Sequence, residues 1–161
     1  MKNFKNKIAV VTGGGTGMGR ELVRQLAAEG CHVAMCDVIQ ENMEETFEIV
    51  SKECPNIRVT KHICDVSDEE QVLLFKDEVI DQHDTSVINL LFNNAGIGGG
   101  GSFVEGSREE WERCFAVCWY GVYYCSRAFM EYIVASDEGH IINTSSVNGF
   151  WATLNGVPHT S

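Results

Sequence analysis

The residues with the clearest chemical potential come early. Thr12-Gly13-Gly14-Gly15-Thr16-Gly17-Met18-Gly19 follows a short apolar run and precedes a helical stripe. Glycines at a strand-to-helix junction let the chain turn tightly and let phosphate oxygens approach the main chain with no Cβ in the way. Exposed N–H groups and the positive end of the helix dipole then supply the attraction. A nucleoside-triphosphate loop needs GxxxxGK followed by Ser or Thr, but the frame from Gly14 to Gly19 continues with Arg20 and Glu21. The GxGxxG spacing also fails, because Met18 stands where its third glycine belongs. GxxxGxG fits, at Gly13, Gly17 and Gly19, with Thr16 and Met18 inside the same loop. A plain glycine-rich turn is the alternative.

Asp37 closes the second apolar run, 18 residues beyond Gly19. An acidic residue at about that distance, roughly 20 residues on, meets the adenosine ribose hydroxyls of a bound dinucleotide. Its carboxylate would repel a 2′-phosphate, and no Arg or Lys lies in residues 13–18 or 36–40 to hold one, so NAD is expected rather than NADP. A polar strand terminus is the alternative reading of Asp37. Other chemistries find little support. Ser145 and Ser146 lack a GxSxG elbow and a His or Asp pattern that would make either a nucleophile. The seven cysteines form no CxxC pair, which a zinc ribbon or redox motif needs, so thiols in a reducing compartment are expected and no metal site.

These residues need elements to position them. Apolar, β-rich runs at residues 7–12, 32–37, 57–65, 87–93 and 140–145 alternate with segments at helical spacing. Met18, Leu22, Val23, Leu26 and Ala27 form the stripe of the first helix, which ends at Gly30 as C′ residue. A second helix spans 40–54 and stops before Pro55; a third follows Ser67, which with Glu70 has the form of a capping box; a long fourth covers 108–135. Alternation of this kind predicts a doubly wound α/β fold: a mostly parallel sheet, right-handed crossovers and helices on both faces. Ligands in such sheets bind beyond the carboxyl ends of the strands, where strand order reverses.

The whole chain has 161 residues, 44% of them hydrophobic, and two prolines, with no repeat or boundary, so one domain over 1–161 is expected. Twelve basic residues against 23 acidic ones give a net charge of −11, which repels nucleic acid and anionic membrane. Phosphate must therefore be held by local main-chain geometry rather than by a cationic side chain. No stretch approaches the roughly 20 apolar residues that span a bilayer, and the opening residues turn glycine-rich before a signal sequence could finish. A cytoplasmic protein is expected.

Four motifs now make the chain resemble the short-chain dehydrogenases/reductases, over essentially its whole length. They are TGxxxGxG from Thr12 to Gly19, Asp65-Val66 after strand three, NNAG from Asn93 to Gly96, and NTSS from Asn143 to Ser146. The resemblance implies hydride transfer between NAD(H) and a small alcohol or carbonyl substrate. Asp65 and Val66 would meet the adenine, Asn94, Ala95 and Gly96 would line the ribose and steady the central sheet, and Ser146 would bind the substrate oxygen. Read without the family, Asp65 and the asparagines are equally turn formers. Family members move the proton with a Tyr whose pKa is lowered by a Lys four residues on, but the chain contains no YxxxK, and that register falls on residues 157–161. The role does not pass to His159. The expectation is an N-terminal part, ending just before that motif, of a longer protein whose later strands are absent here.

Cys118 stands where members carry Asn in a VNxxG segment, whose backbone holds a water of the proton relay, so an altered relay is expected. The fourth helix is apolar around much of its girth, and the family packs this helix against a sister subunit, which implies a homo-oligomer. Residues 94–101, NAGIGGGG, suggest a flexible connection at the mouth of the site, and Phe150, Trp151 and Leu154 an apolar wall. The alternative function is a non-catalytic dinucleotide-binding or interaction protein, supported by Cys118 and the missing Tyr/Lys pair.

Overall fold

The computed structural model describes residues 3–99 and 106–146. Five strands, β1 (Ile8–Thr12), β2 (His32–Asp37), β3 (Val59–Ile63), β4 (Leu90–Asn93) and β5 (His140–Asn143), alternate with helices. These are α1 (Gly17–Ala28), α2 (Gln40–Glu53), α3 (Glu69–His83), α4 (Arg108–Phe115) and α5 (Gly121–Val134). Every strand pairing is parallel, in the order β3-β2-β1-β4-β5. The chain winds outward from β1 to β3, then returns to the other side of β1, so strand order reverses between β1 and β4.

Successive strand residues face opposite sides of the sheet, and each side has its own core. Ala9, Val11, Val33 and Met35 pack with Val23 and Leu26 of α1 and Met43 and Val50 of α2. Val10, Ala34 and Leu91 pack with Phe75 and Val79 of α3 and Phe129 of α5. Val10 and Val11 are both fully buried, as a central parallel strand covered on both faces must be. The expected doubly wound α/β architecture is present.

Helix ends explain where the elements stop. Gly30, at φ +85°, donates to the Ala27 carbonyl while Cys31 donates to that of Leu26, closing α1 in a Schellman arrangement. The expected capping box at Ser67 does not form. Asp68 is the N-cap of α3, its carboxylate accepting the N–H groups of Glu70 and Gln71, while the Ser67 hydroxyl turns back to Asp65. A carboxylate at an N-cap meets the helix dipole as well as the orphan donors, so it displaces the hydroxyl beside it.

The segment expected as one helix over 108–135 is continuous but changes pitch: a π-helical turn, Ala116–Tyr120, joins α4 to α5. Gly121 is why the segment can approach the sheet, since a Cβ there would stand 2.7 Å from a Val66 methyl. Four strands are shorter than the apolar runs that announced them, and only β2 matches its run. Before β4, for example, Ile88 donates to Tyr132 of α5 rather than along the sheet, and the Asn89 side chain accepts from the Ile8 amide.

Candidate functional site

The glycine loop leaves β1 beside the end of β4, and the two are fastened by side chains that bond to main chain. Thr12 Oγ1 accepts the N–H groups of Asn94 and Ala95, each at 3.0 Å, and donates to the Phe92 carbonyl. Asn94 returns the contact by donating through Nδ2 to the carbonyls of Thr12 at 3.0 Å and Gly13 at 3.4 Å. Gly13 and Gly17 adopt φ of +67° and +53°, a region that side-chain-bearing residues rarely enter. Gly19 admits no side chain at all, because a Cβ would lie 1.9 Å from the Gly13 carbonyl oxygen.

Helix α1 begins unlike α3 and α4. Its N-cap, Thr16, makes no side-chain hydrogen bond to the helix, and the first turn contains no acidic residue. Asp68 and Ser107 cap α3 and α4, which also carry two glutamates each in the first turn. The first N–H groups of α1 are thus left without a side-chain partner at the positive end of the helix dipole. They open on a cleft of about 480 Å³, and a Cβ on Gly17 would meet nothing within 4 Å. The junction offers an anion what it needs: donors, a dipole and room for close approach.

The residues expected from the sequence converge on this cleft. Gly13, Thr16, Gly17, Met18 and Gly19 form one wall. Asp37, Asp65 and Val66 lie beyond the ends of β2 and β3, and Asn94, Ala95 and Gly96 beyond the end of β4. Asp37 lines the cleft, and its carboxylate accepts the Gly15 N–H at 3.0 Å and the Ile39 N–H at 3.2 Å. Asp65 likewise accepts from the Ser67 amide at 3.0 Å.

Ser146 does not line that cleft. It lies in an adjoining cavity of about 220 Å³ with Cys118, Val122 and Thr144, and Asn94, Ala95, Gly96 and Ile97 border both spaces. Beneath it Asn93 donates to Ser126 and Asn143, and Thr144 donates to Asn94 Oδ1 at 3.3 Å, so the ends of β4 and β5 are tied. Cys118 holds Ile97 at both main-chain groups: Sγ accepts from its amide and donates to its carbonyl, each at 3.5 Å.

Sequence reading missed several cleft residues. Val38, Ile39 and Cys64 follow strand ends and were open to the switch-point rule. Arg113 and Asn42 were not, since helices reached by the winding of the fold bring them in. Arg113 puts a cationic side chain on the cleft wall. Residues 100 and 101 of the expected flexible connection, the apolar trio Phe150, Trp151 and Leu154, and His159 lie outside the described residues. Among the described residues, no cluster of His, Cys, Asp or Glu is arranged to hold a metal, and no helix is long and apolar enough to cross a membrane.

A parallel, doubly wound sheet with a glycine cradle at its switch point defines a Rossmann-type α/β protein. Within that class the chain belongs to the short chain dehydrogenase family, whose profile matches residues 7–161. It is 35% identical over 146 residues to a meso-2,3-butanediol dehydrogenase of Serratia marcescens, covering 91% of this chain and 55% of that one. A short chain dehydrogenase/reductase from Burkholderia phymatum in complex with NAD superposes with a TM-score of 0.87 at 32% identity, over 95% of this chain and 53% of that one. A metagenomic short-chain oxidoreductase in complex with NADP gives 0.86 at 29% identity, over 95% and 68%. The chain thus spans about half the length of the curated relatives it matches.

Proposed function

We propose that the chain works as one dinucleotide-binding domain of an oxidoreductase that transfers a hydride between NAD(H) and a small alcohol or carbonyl substrate. The observation that carries this is the uncapped, acid-free start of α1, opening on a cleft whose walls are the Gly13, Gly17 and Gly19 cradle. There the main-chain N–H groups hold the diphosphate. Asp37 takes the adenosine ribose hydroxyls and bars a 2′-phosphate, Asp65 and Val66 bracket the adenine, and Asn94, Ala95 and Gly96 carry the second ribose. The coenzyme supplies the hydride-accepting carbon, and Ser146, in the neighbouring cavity, binds the substrate oxygen.

The exposed row of Phe115, Trp119, Tyr120 and Tyr123 along the π turn and its flanks supports a homo-oligomer. No disulfide joins the seven cysteines, which suits the reducing cytoplasm. The charge of −11 repels nucleic acid and so supports a small-molecule partner.

Calorimetric titration of the full chain with NAD and NADP tests the reading. NAD is expected to bind about tenfold or more tightly than NADP, the scale of one unfavourable charge contact. Equal affinities would remove the role given to Asp37, and no binding of either would overturn the proposal.

A further inference from the structure

Two of the three charged residues that line the cleft, Asp37 and Asp65, are acidic, in a protein of net charge −11. A doubly charged diphosphate entering it gains from a positive charge beyond neutral amides. The cation nearest in sequence, Arg20, is committed elsewhere, since its guanidinium donates to the Gly15 carbonyl, Thr46 and Glu45 and so braces the glycine loop. Arg113 is the single cation lining the cleft among the described residues.

Its situation is particular. Glu109 precedes it by four positions on α4, the favourable order for a helical ion pair, and Arg108 makes such a pair with Glu112 on the same helix. Arg113 makes none, and no hydrogen bond from its side chain is formed to any described residue. It is exposed at the cleft wall, and Val117, four residues further along, lines the same space. The guanidinium therefore stands with its donors unspent, on the α4 side of a cleft whose glycine wall is on α1.

Resting on the dinucleotide reading above, we propose that Arg113 is a cofactor-binding residue whose guanidinium closes over the diphosphate opposite the glycine loop. Its planar fork can bridge two phosphate oxygens, which a main-chain amide cannot. Arg113 then supplies the charge complementarity while the loop supplies shape. It binds and positions cofactor and takes no part in moving the proton.

The test is a calorimetric series on the full chain, wild type, Arg113→Gln and Arg113→Lys, with NAD, ADP-ribose and adenosine at low and high salt. For Arg113→Gln, NAD and ADP-ribose are expected to weaken about tenfold, the lower range for a hydrogen bond to a charged group, while adenosine is unchanged. Arg113→Lys recovers part of the loss, and added salt weakens the wild type more steeply than Arg113→Gln. The residue is exposed, so thermal midpoints should coincide and keep folding out of the comparison. Wild-type NAD affinity in Arg113→Gln overturns the inference, as does a parallel loss of adenosine, which would mark a change in cleft shape. Failure of the wild type itself to bind NAD or ADP-ribose removes the dinucleotide reading, and this inference with it.

Discussion

Two places in the sheet gather polar side chains, and they use them differently. At the seam between β1 and β4, Thr12 and Asn94 spend their hydrogen bonds on main-chain groups of the two loops. At the outer strand β3, polar side chains bond to one another: His83 Nε2 lies 3.0 Å from Thr60 Oγ1, which lies 2.9 Å from His62 Nε2, and His62 Nδ1 lies 2.7 Å from a Glu78 oxygen. With both imidazoles neutral a single direction satisfies the chain: His83 donates to Thr60, Thr60 to His62, and His62 to Glu78. The seam fixes the course of a backbone that must receive a ligand. The edge cluster fixes α3 on the sheet and lines neither the cleft nor the cavity beside it. Damage to the first should therefore appear in binding, and damage to the second in stability.

Gly19→Ala gives the larger effect. The new Cβ would lie 1.9 Å from the Gly13 carbonyl oxygen and 2.7 Å from Asn94 Nδ2, both parts of the seam, so the loop must move. Displacing it at an overpacking cost of about 3 kcal/mol should weaken NAD about a hundredfold in calorimetry. Ser146→Ala is the counterpart, in the cavity that adjoins the cleft, and should leave NAD affinity within about twofold. Equal losses in the two variants would erase the division between cofactor wall and substrate cavity.

The edge cluster predicts an acid-sensitive fold with binding intact. Burial, reinforced by Arg58, His32 and His62 nearby, lowers His83 from 6.5 to about 4. Burial also lowers His62, against the pull of Glu78. A base whose folded pKa is depressed binds its proton more readily when unfolded, so stability is complete above pH 6.5 and falls as pH drops toward 4. Allowing for solvent screening, His83 accounts for about 2 kcal/mol of that fall. His83→Gln keeps a donor for Thr60 and should flatten the urea-unfolding stability profile across the window, with NAD affinity at neutral pH unchanged. A variant profile parallel to the wild type would show that His83 is not the titrating group.

The difference between the regions also explains what the sequence disclosed. The seam is built from residues adjacent in sequence to strand ends, and glycine spacing reports backbone geometry directly, so Gly13, Gly17 and Gly19 were legible from spacing, whereas Asn94 was reached only through the family resemblance. The alternating runs revealed the sheet in the same way, because burial on both faces leaves an apolar run such as residues 8–11. Longer-range consequences were hidden. Arg113 reaches the cleft through the packing of α4, and the π turn is a matter of helix pitch that carries no local pattern. The displacement of Ser67 by Asp68 turned on two adjacent capping residues, between which spacing alone could not choose.

The smallest expected effect lies where these two kinds of information meet, at Cys118. The sequence marks it as a departure from the family's asparagine, while the structure shows its thiol already bonded to both main-chain groups of Ile97. Sulfur is a weak donor and acceptor, so Cys118→Asn should strengthen an existing bond rather than create one. Hydrogen exchange at the Ile97 amide is expected to slow about threefold, an increment of well under 1 kcal/mol, with NAD affinity unchanged and, in a longer protein that supplies the Tyr/Lys pair, the pH dependence of turnover unchanged. The amide that borders both cavities would then be shown to be held by the helix, whichever side chain does the holding. A displaced pH profile at unaltered exchange would show instead that this side chain acts on the proton path and not through the loop.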